Sequence, residues 1–115
     1  MIINKGEIYY ADLDGAIGSE QSGIRPVLIV QNDIGNKHSP TTIVAPITKH
    51  EKKIDMPTHV ILNNDCGLKQ KSIVMLEQIR TIDKYRLKEK IGECNQRVLK
   101  LVNEAIKISF FLTDK

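Results

Sequence analysis

The chain has 115 residues, of which 41% are hydrophobic and 27% charged, and its formal net charge is +3. This apolar content excludes an intrinsically disordered chain, because it offsets the entropy lost on ordering. The length predicts a single domain spanning 1–115 and excludes an enzyme with a separate cofactor-binding module.

Five strands are predicted in the first two-thirds of the chain, from short runs rich in Val, Ile and Tyr between turn-forming residues. They are Glu7–Leu13, Pro26–Asn32, Thr42–Thr48, Thr58–Leu62 and Ser72–Gln78. The run VLIVQ has no polar alternation, which predicts a strand buried on both faces. Short strands separated by frequent turns indicate a small barrel or a strongly bent sheet.

From Asn95 onward the apolar spacing becomes helical, with Asn95 as the expected N-cap. The apolar stripe consists of Val98, Val102, Ala105, Ser109 and Leu112, widened by Leu101, Ile106 and Ile108. Such a stripe faces either the sheet or a second subunit, and the core-facing arrangement is the more common. A shorter helical turn is predicted around Asp83–Leu87. These elements predict an α+β fold that is mainly β.

The sequence predicts a cytoplasmic protein without a membrane span. No stretch approaches the ~18 consecutive apolar residues of such a span. The first residues, MIINKGEIYYADLD, lack the apolar core of a signal peptide. Cys66 and Cys94 stand in no CxxC or Cys/His spacing, which argues against structural zinc and favours free thiols in a reducing compartment.

The sequence motifs of the common catalytic machineries are absent. The chain has no GxSxG nucleophile elbow, no GxxxxGKS/T loop and no GxGxxG after a strand. Its histidines, His38, His50 and His59, are scattered and form no cluster with carboxylates that predicts a metal site. The sequence therefore favours chemistry that needs neither a metal nor a cofactor.

Two stretches carry side chains suited to an anion. Arg25 directly precedes Pro26, which restricts both backbones and holds the guanidinium at a stiff loop-to-strand junction. There it either binds a phosphate or forms a surface ion pair with Glu20 or another neighbour. Thr48 and Lys49 end a strand, where they either face a bound anion or are ordinary exposed residues.

A third stretch, SIVMLEQIRTIDK, carries side chains that suit either contact with a nucleobase or a structural ion pair. Gln78 matches the hydrogen-bonding edge of a nucleobase, whereas Glu77 and Arg80 suit a structural ion pair with each other. Residues 69–100 hold nine Lys and Arg against four Asp and Glu. This region is either a solvated surface or an electropositive surface that attracts a polyanion.

Taken together in this order and spacing, GSEQSGIRPVLIVQND, IVAPIT, PTHV and SIVMLEQIRTID resemble the MazF/PemK family of toxin endoribonucleases. The resemblance runs from KGEIYYADLD to the C-terminal helix and is closest to the EndoA-type members of Gram-positive bacteria. It implies an SH3-like small barrel of curved antiparallel sheet with a C-terminal helix. It also implies a homodimer, inhibited by a MazE-type antitoxin, that cleaves single-stranded mRNA without a metal and leaves 2′,3′-cyclic phosphate and 5′-hydroxyl ends.

The resemblance also implies roles for individual residues. It places the catalytic pair on Arg25 and Thr48, and RNA contacts on Ser19, Glu20, Gln21, Asn32, Lys49 and Gln78. Ile17 is a further candidate, because an apolar side chain in the first loop can pack against a base. The first loop and Lys49–Met56 are expected to set the cleavage sequence, for which the EndoA type suggests a U-rich pentamer such as UACAU.

Two other functions stay open on the sequence. A toxin of related fold poisons DNA gyrase by protein binding and does not need Arg25 or Thr48. A non-catalytic RNA-binding module would use the basic region but leave RNA intact. The presence of both residues within the nuclease motifs favours the endoribonuclease.

Overall fold

A computed structural model describes residues 1–15, 17–50 and 56–112. Within these ranges the strands are Glu7–Asp12 (β1), Ile24–Ile29 (β2), Thr41–Lys49 (β3), His59–Leu62 (β4), Ser72–Met75 (β5), Arg80–Asp83 (β6) and Leu87–Glu93 (β7). The α-helices are Asp33–His38 (α1) and Gln96–Ser109 (α2). Short 3₁₀ turns cover Asn64–Cys66, Leu76–Gln78 and Lys84–Arg86. The chain is therefore mainly β with a C-terminal helix, as predicted.

The strands form an antiparallel sheet in the order β4-β5-β3-β2-β1-β7, with β6 also paired to β3. The first half of β3 pairs with β6 and its second half with β5, while β2 pairs with its other edge. Among the described residues β4 and β7 do not pair, so the sheet is open rather than a closed barrel. Helix α2 packs against β4 and the 76–78 turn, so a helix covers this side of the core.

An apolar cluster lies on each face of the sheet, and β2 contributes to both. Leu28 belongs to the cluster beneath α2, whereas Val27 and Ile29 belong to the opposite cluster. All three side chains are fully buried. The prediction of a strand buried on both faces is confirmed.

Helix α2 begins and packs as its sequence predicts. The Asn95 side chain accepts a hydrogen bond from the Val98 backbone N–H at 2.9 Å, which caps the helix. The buried helix residues, all in the cluster beneath it, are Val98, Val102 and Ala105. The centre of the stripe therefore faces the core, whereas Leu101 and Ile108, which were predicted to widen it, are each 50% exposed. Leu112, predicted to continue it, lies beyond the helix end and is exposed.

Two predicted strands are too long. The strand predicted over Pro26–Asn32 ends at Ile29, because the Asn32 side chain accepts the Gly35 N–H at 2.8 Å and starts α1. The strand predicted over Ser72–Gln78 ends at Met75, where a 3₁₀ turn begins.

Three elements of the structure were not predicted from the sequence, whereas one short helical turn was. Helix α1 and strands β6 and β7 lack a clear local pattern; β7 reads LKEKIGE and is held by pairing with β1. The helical turn predicted around Asp83–Leu87 is confirmed as the 3₁₀ turn Lys84–Arg86. None of the helices in the described residues is long and apolar enough to span a membrane.

Candidate active site

Arg25 and Thr48 lie on neighbouring strands of the sheet. The pairing of β2 with β3 runs from Ile29 opposite Val44 to Val27 opposite Pro46, two residues short of Arg25 and Thr48. Both residues also line one surface cleft. The fold therefore brings the two candidate catalytic side chains together.

This cleft, called the cationic cleft below, combines walls from β1, β2, β3, β5, β7 and the segment 67–70. Its basic lining residues are Arg25, Lys49 and Lys69, and none of the described residues that line it is acidic. Its volume of ≈ 460 Å³ lies within the roughly 300–1,000 Å³ of ordinary ligand sites. Size and charge both suit a nucleotide phosphate.

The Arg25 side chain is held by the backbone of the preceding loop. Its Nε donates a hydrogen bond to the Ser22 carbonyl at 3.0 Å. No carboxylate in the described part of the chain lies within ion-pair distance of the guanidinium. The alternative pairing with Glu20 is therefore wrong, since the Glu20 carboxylate accepts the Ile17 backbone N–H at 2.9 Å. The terminal nitrogens of Arg25 are thus available to an anion.

A second cleft of ≈ 290 Å³, called the amide cleft below, is lined by both glutamines of the predicted RNA contacts. The Gln21 backbone N–H donates to Oε1 of Gln78 at 3.2 Å. Oε1 of Gln21 is buried and accepts no hydrogen bond from any described residue. Glu20 also lines this cleft. Such a set of acceptors and amides matches the edge of a nucleobase better than a phosphate.

The remaining predicted RNA contacts are spread over the surface. Ile17 and Ser19 are exposed in the first loop, beside Glu20. Asn32 follows the opposite end of β2 from Arg25, roughly 20 Å away at the usual rise of a strand, and its side chain caps α1. The structure does not group Asn32 with the others. Of the predicted specificity loop, residues 51–55 lie outside the described part of the chain.

Glu77 forms a polar cluster with Thr58 and His59 rather than the predicted pair with Arg80. Its carboxylate accepts the Thr58 hydroxyl at 2.8 Å and lies 3.0 Å from Nε2 of His59. Arg80 instead donates a long hydrogen bond of 3.5 Å to the Leu13 carbonyl. Burial raises the pKa of Glu77, but hydrogen bonds from His59, its own backbone and Thr58 outweigh burial and hold the pKa below its usual value.

The Glu77 cluster predicts acid sensitivity of the fold. Because the pKa of Glu77 is lower in the folded chain than in the unfolded chain, its ionised form contributes stability above the usual carboxyl pKa of 4.5. That contribution is lost as the pH falls through the folded-state value. Urea unfolding should therefore show a smaller decrease in stability on acidification for Glu77→Gln than for the wild type. Equal decreases would contradict the assignment.

Gly92 supports the segment 67–70, which lines the cationic cleft. A Cβ atom at Gly92 would overlap the carbonyl oxygen of Cys66, far inside van der Waals contact, and would touch the Cα of Gly67 at 3.2 Å. Sequence patterns did not reveal this approach, because β7 and the 64–66 turn are distant along the chain. The backbone of Gly92 thus sets the position of one wall of the cleft.

Replacing Gly92 by alanine should destabilise the fold by about 3 kcal/mol, because rigid backbone atoms must move to accept the methyl group. Urea unfolding followed by circular dichroism measures this change. The neighbouring Glu93→Ala, at an exposed position, should stay within about 0.5 kcal/mol of the wild type. Equal stability of the two variants would refute the close approach.

Cys66 and Cys94 are free thiols, as predicted, and both are buried in the cluster beneath α2. Burial is the main cause of a raised pKa for each thiol. Both therefore stay protonated and pack as apolar residues. Across the described ranges, no group of three or more His, Cys, Asp or Glu side chains could hold a metal ion.

Comparison with known proteins identifies the family. Residues 4–110 match the profile of the PemK-like, MazF-like toxins of type II toxin–antitoxin systems. The chain belongs to this family. It is 50% identical to the endoribonuclease EndoA of Bacillus subtilis strain 168, over 99% of both chains. It is 52% identical to the endoribonuclease MazF of Staphylococcus saprophyticus, over 96% of this chain and 93% of the relative.

A solved structure of this family shares the fold. The Mycobacterium tuberculosis toxin MazF-mt6 is 30% identical and superposes with a TM-score of 0.79, covering 93% of this chain and 98% of that one. The relationship therefore extends over nearly the whole chain, including both clefts. The resemblance to the MazF/PemK family is confirmed.

Proposed function

We propose that this toxin is a metal-independent endoribonuclease that cleaves single-stranded mRNA at a short sequence in the cytoplasm and so stops translation and growth. The observation that carries the proposal is that Arg25 and Thr48 line one cleft, whose described lining residues include basic side chains and no acidic ones. Two relatives that are about half identical to this chain are named endoribonucleases, which supports the proposal.

RNA supplies its own nucleophile in this reaction. The 2′-hydroxyl loses its proton and attacks the adjacent phosphorus, the bond from phosphorus to the 5′-oxygen breaks, and that oxygen takes up a proton. The products are a 2′,3′-cyclic phosphate and a 5′-hydroxyl. The enzyme must align the two oxygens and stabilise negative charge on the non-bridging oxygens of the transition state.

Arg25 and Thr48 meet these two requirements. The planar guanidinium offers parallel donors that match two phosphate oxygens, and its attachment to the Ser22 carbonyl fixes its direction. The Thr48 hydroxyl donates a hydrogen bond to a non-bridging oxygen or holds the 2′-hydroxyl in line. A guanidinium in water has a pKa above ~12 and is a weak base. We therefore assign Arg25 mainly to charge stabilisation; the proton-transfer role is implied by the family resemblance.

Base recognition belongs to the amide cleft in this proposal. Gln21 and Gln78 line this cleft together, and their side-chain amides offer donors and acceptors to the edge of a base. Ser19 and Glu20 extend this surface, and Ile17, which is 79% exposed, packs against a base. Lys49 contacts a phosphate at the cationic cleft. Asn32 contacts a nucleotide several positions away, because an extended strand must reach the far end of β2.

We further propose that the chain is a homodimer and that a MazE-type antitoxin inhibits it by occupying the RNA-binding clefts. Family membership supports an antitoxin partner, since type II toxins are neutralised by one. Light scattering of the purified chain at micromolar concentration should give twice the mass of one chain. A monomer with full ribonuclease activity would contradict the homodimer.

The activity is tested on a long single-stranded RNA in excess EDTA, with the new ends mapped by primer extension. The proposal predicts discrete cuts at one short motif, with cyclic phosphate ends. Intact RNA after incubation with a folded, dimeric protein would refute it. A gyrase inhibition assay and an RNA-binding titration then separate a gyrase poison from a non-catalytic RNA-binding module.

A further inference from the structure

An aromatic side chain, Tyr10, lies at the cationic cleft. It stands on β1 opposite Pro26, and the next residue, Ala11, stands opposite Arg25. The Tyr10 side chain lines the cleft and is 37% exposed, so part of its ring is open to a ligand. The other aromatic residues in the described ranges lie away from this cleft: Tyr9 is buried, and Tyr85, Phe110 and Phe111 are exposed elsewhere.

A cation, Lys69, lies on another wall of the same cleft, in the segment 67–70. It is exposed, and it makes no hydrogen bond or ion pair with another described residue. The backbone before it is constrained, because Gly67 has a φ of +89° and the Cys66 carbonyl packs against Gly92. Lys69 is therefore a free cation on a supported segment that faces the candidate catalytic pair.

We propose that Tyr10 and Lys69 form a subsite for the nucleotide adjacent to the cleaved phosphate, with the Tyr10 ring stacked on its base and the Lys69 ammonium on its outer phosphate. This rests on the proposed endoribonuclease function. Arg25 and Thr48 occupy the reacting phosphate, so the rest of the cleft belongs to a neighbouring nucleotide. Every base has a π-face, so this subsite strengthens binding without selecting a sequence.

The two contacts predict different effects. Loss of a stacked base weakens single-strand binding by roughly tenfold or more. Loss of one phosphate contact weakens binding and lowers the magnitude of the salt dependence, the slope of log K against log salt, by about 0.7. Tyr10→Phe should bind like the wild type, since the Tyr10 hydroxyl has no hydrogen-bond partner among the described residues and stacking needs only the ring.

The test uses the full-length protein and an RNA oligonucleotide that carries the mapped cleavage motif, with 2′-deoxyribose at the cleaved position to prevent reaction. Binding is measured by fluorescence anisotropy at several salt concentrations. The variants are Tyr10→Ala, Tyr10→Phe and Lys69→Ala. The matched controls are Tyr85→Ala and Lys88→Ala, both exposed and outside the two clefts.

A second set of oligonucleotides replaces one nucleotide at a time by an abasic residue, which separates stacking from misfolding. When the abasic residue replaces the nucleotide that stacks on Tyr10, next to the cleaved phosphate, wild type and Tyr10→Ala should bind that RNA equally well. At all other positions the roughly tenfold difference should persist. A merely structural role for Tyr10 predicts the same loss with every oligonucleotide.

Three results would overturn the proposal. The first is that the wild type cleaves the parent RNA but Tyr10→Ala binds RNA as tightly as Tyr85→Ala, or Lys69→Ala as tightly as Lys88→Ala. The second is that Tyr10→Ala loses the same RNA-binding affinity whichever nucleotide is abasic. Either result would refute the subsite but leave the proposed endoribonuclease function unaffected. Failure of the wild type to cleave any RNA would remove the proposed function and the subsite with it.

Discussion

Replacing Arg25 by alanine is expected to lower the cleavage rate by about 10³-fold with little change in stability. Removal of one preorganised donor from a charge-stabilising site typically costs 10²- to 10³-fold, and the guanidinium supplies more than one donor to the phosphate. The side chain makes no ion pair in the described part of the chain, and its hydrogen bond to Ser22 lies at the surface. The loss should therefore appear in the chemical step, measured by single-turnover cleavage with saturating enzyme.

Two further substitutions separate charge from geometry. Arg25→Lys keeps the charge but loses the planar pair of donors, and it should recover only a minor part of the rate. Arg97→Ala removes an exposed guanidinium on α2, outside both clefts, and should cleave like the wild type. A folded Arg25→Ala that cleaves at the wild-type rate would disprove the catalytic assignment.

Replacing Thr48 by valine is expected to lower the single-turnover rate by about 10²-fold, because the hydroxyl that meets the phosphate or the 2′-hydroxyl is lost while the side-chain volume is kept. Thr48 is partly exposed, and its strand position opposite Ile73 of β5 does not depend on the hydroxyl. Thr48→Ser keeps the hydroxyl and should retain most of the activity.

The control for Thr48 is Thr81→Val, a substitution at an exposed position on β6 outside both clefts. It should leave cleavage and RNA binding unchanged. Full activity in Thr48→Val would show that the hydroxyl does not contact the reacting groups. Reduced binding of uncleavable RNA with an unchanged rate at saturation would place Thr48 in substrate binding rather than in the chemical step.

Local patterns correctly predicted the elements whose burial is set within a short stretch. β2 is apolar at consecutive positions and is buried on both faces; α2 has its cap and its core-facing residues in one continuous segment. Patterns failed where long-range pairing decides the structure. β7 is rich in charge and forms only because β1 lies beside it, and Asn32 follows a strand-like run but caps a helix.

The sequence by itself determined the family, because its motifs match the family only in combination. It also determined that β2 is apolar on both faces and that α2 has one apolar face. Only the tertiary structure decided that Arg25 and Thr48 share one cleft with Tyr10 and Lys69, and that Gln21 and Gln78 line a separate one. It also decided that β4 and β7 do not pair within the described ranges, so that the sheet does not close into a barrel. The physical reason is that hydrophobic periodicity is a property of neighbouring residues, whereas a site depends on the register between strands that are distant along the chain.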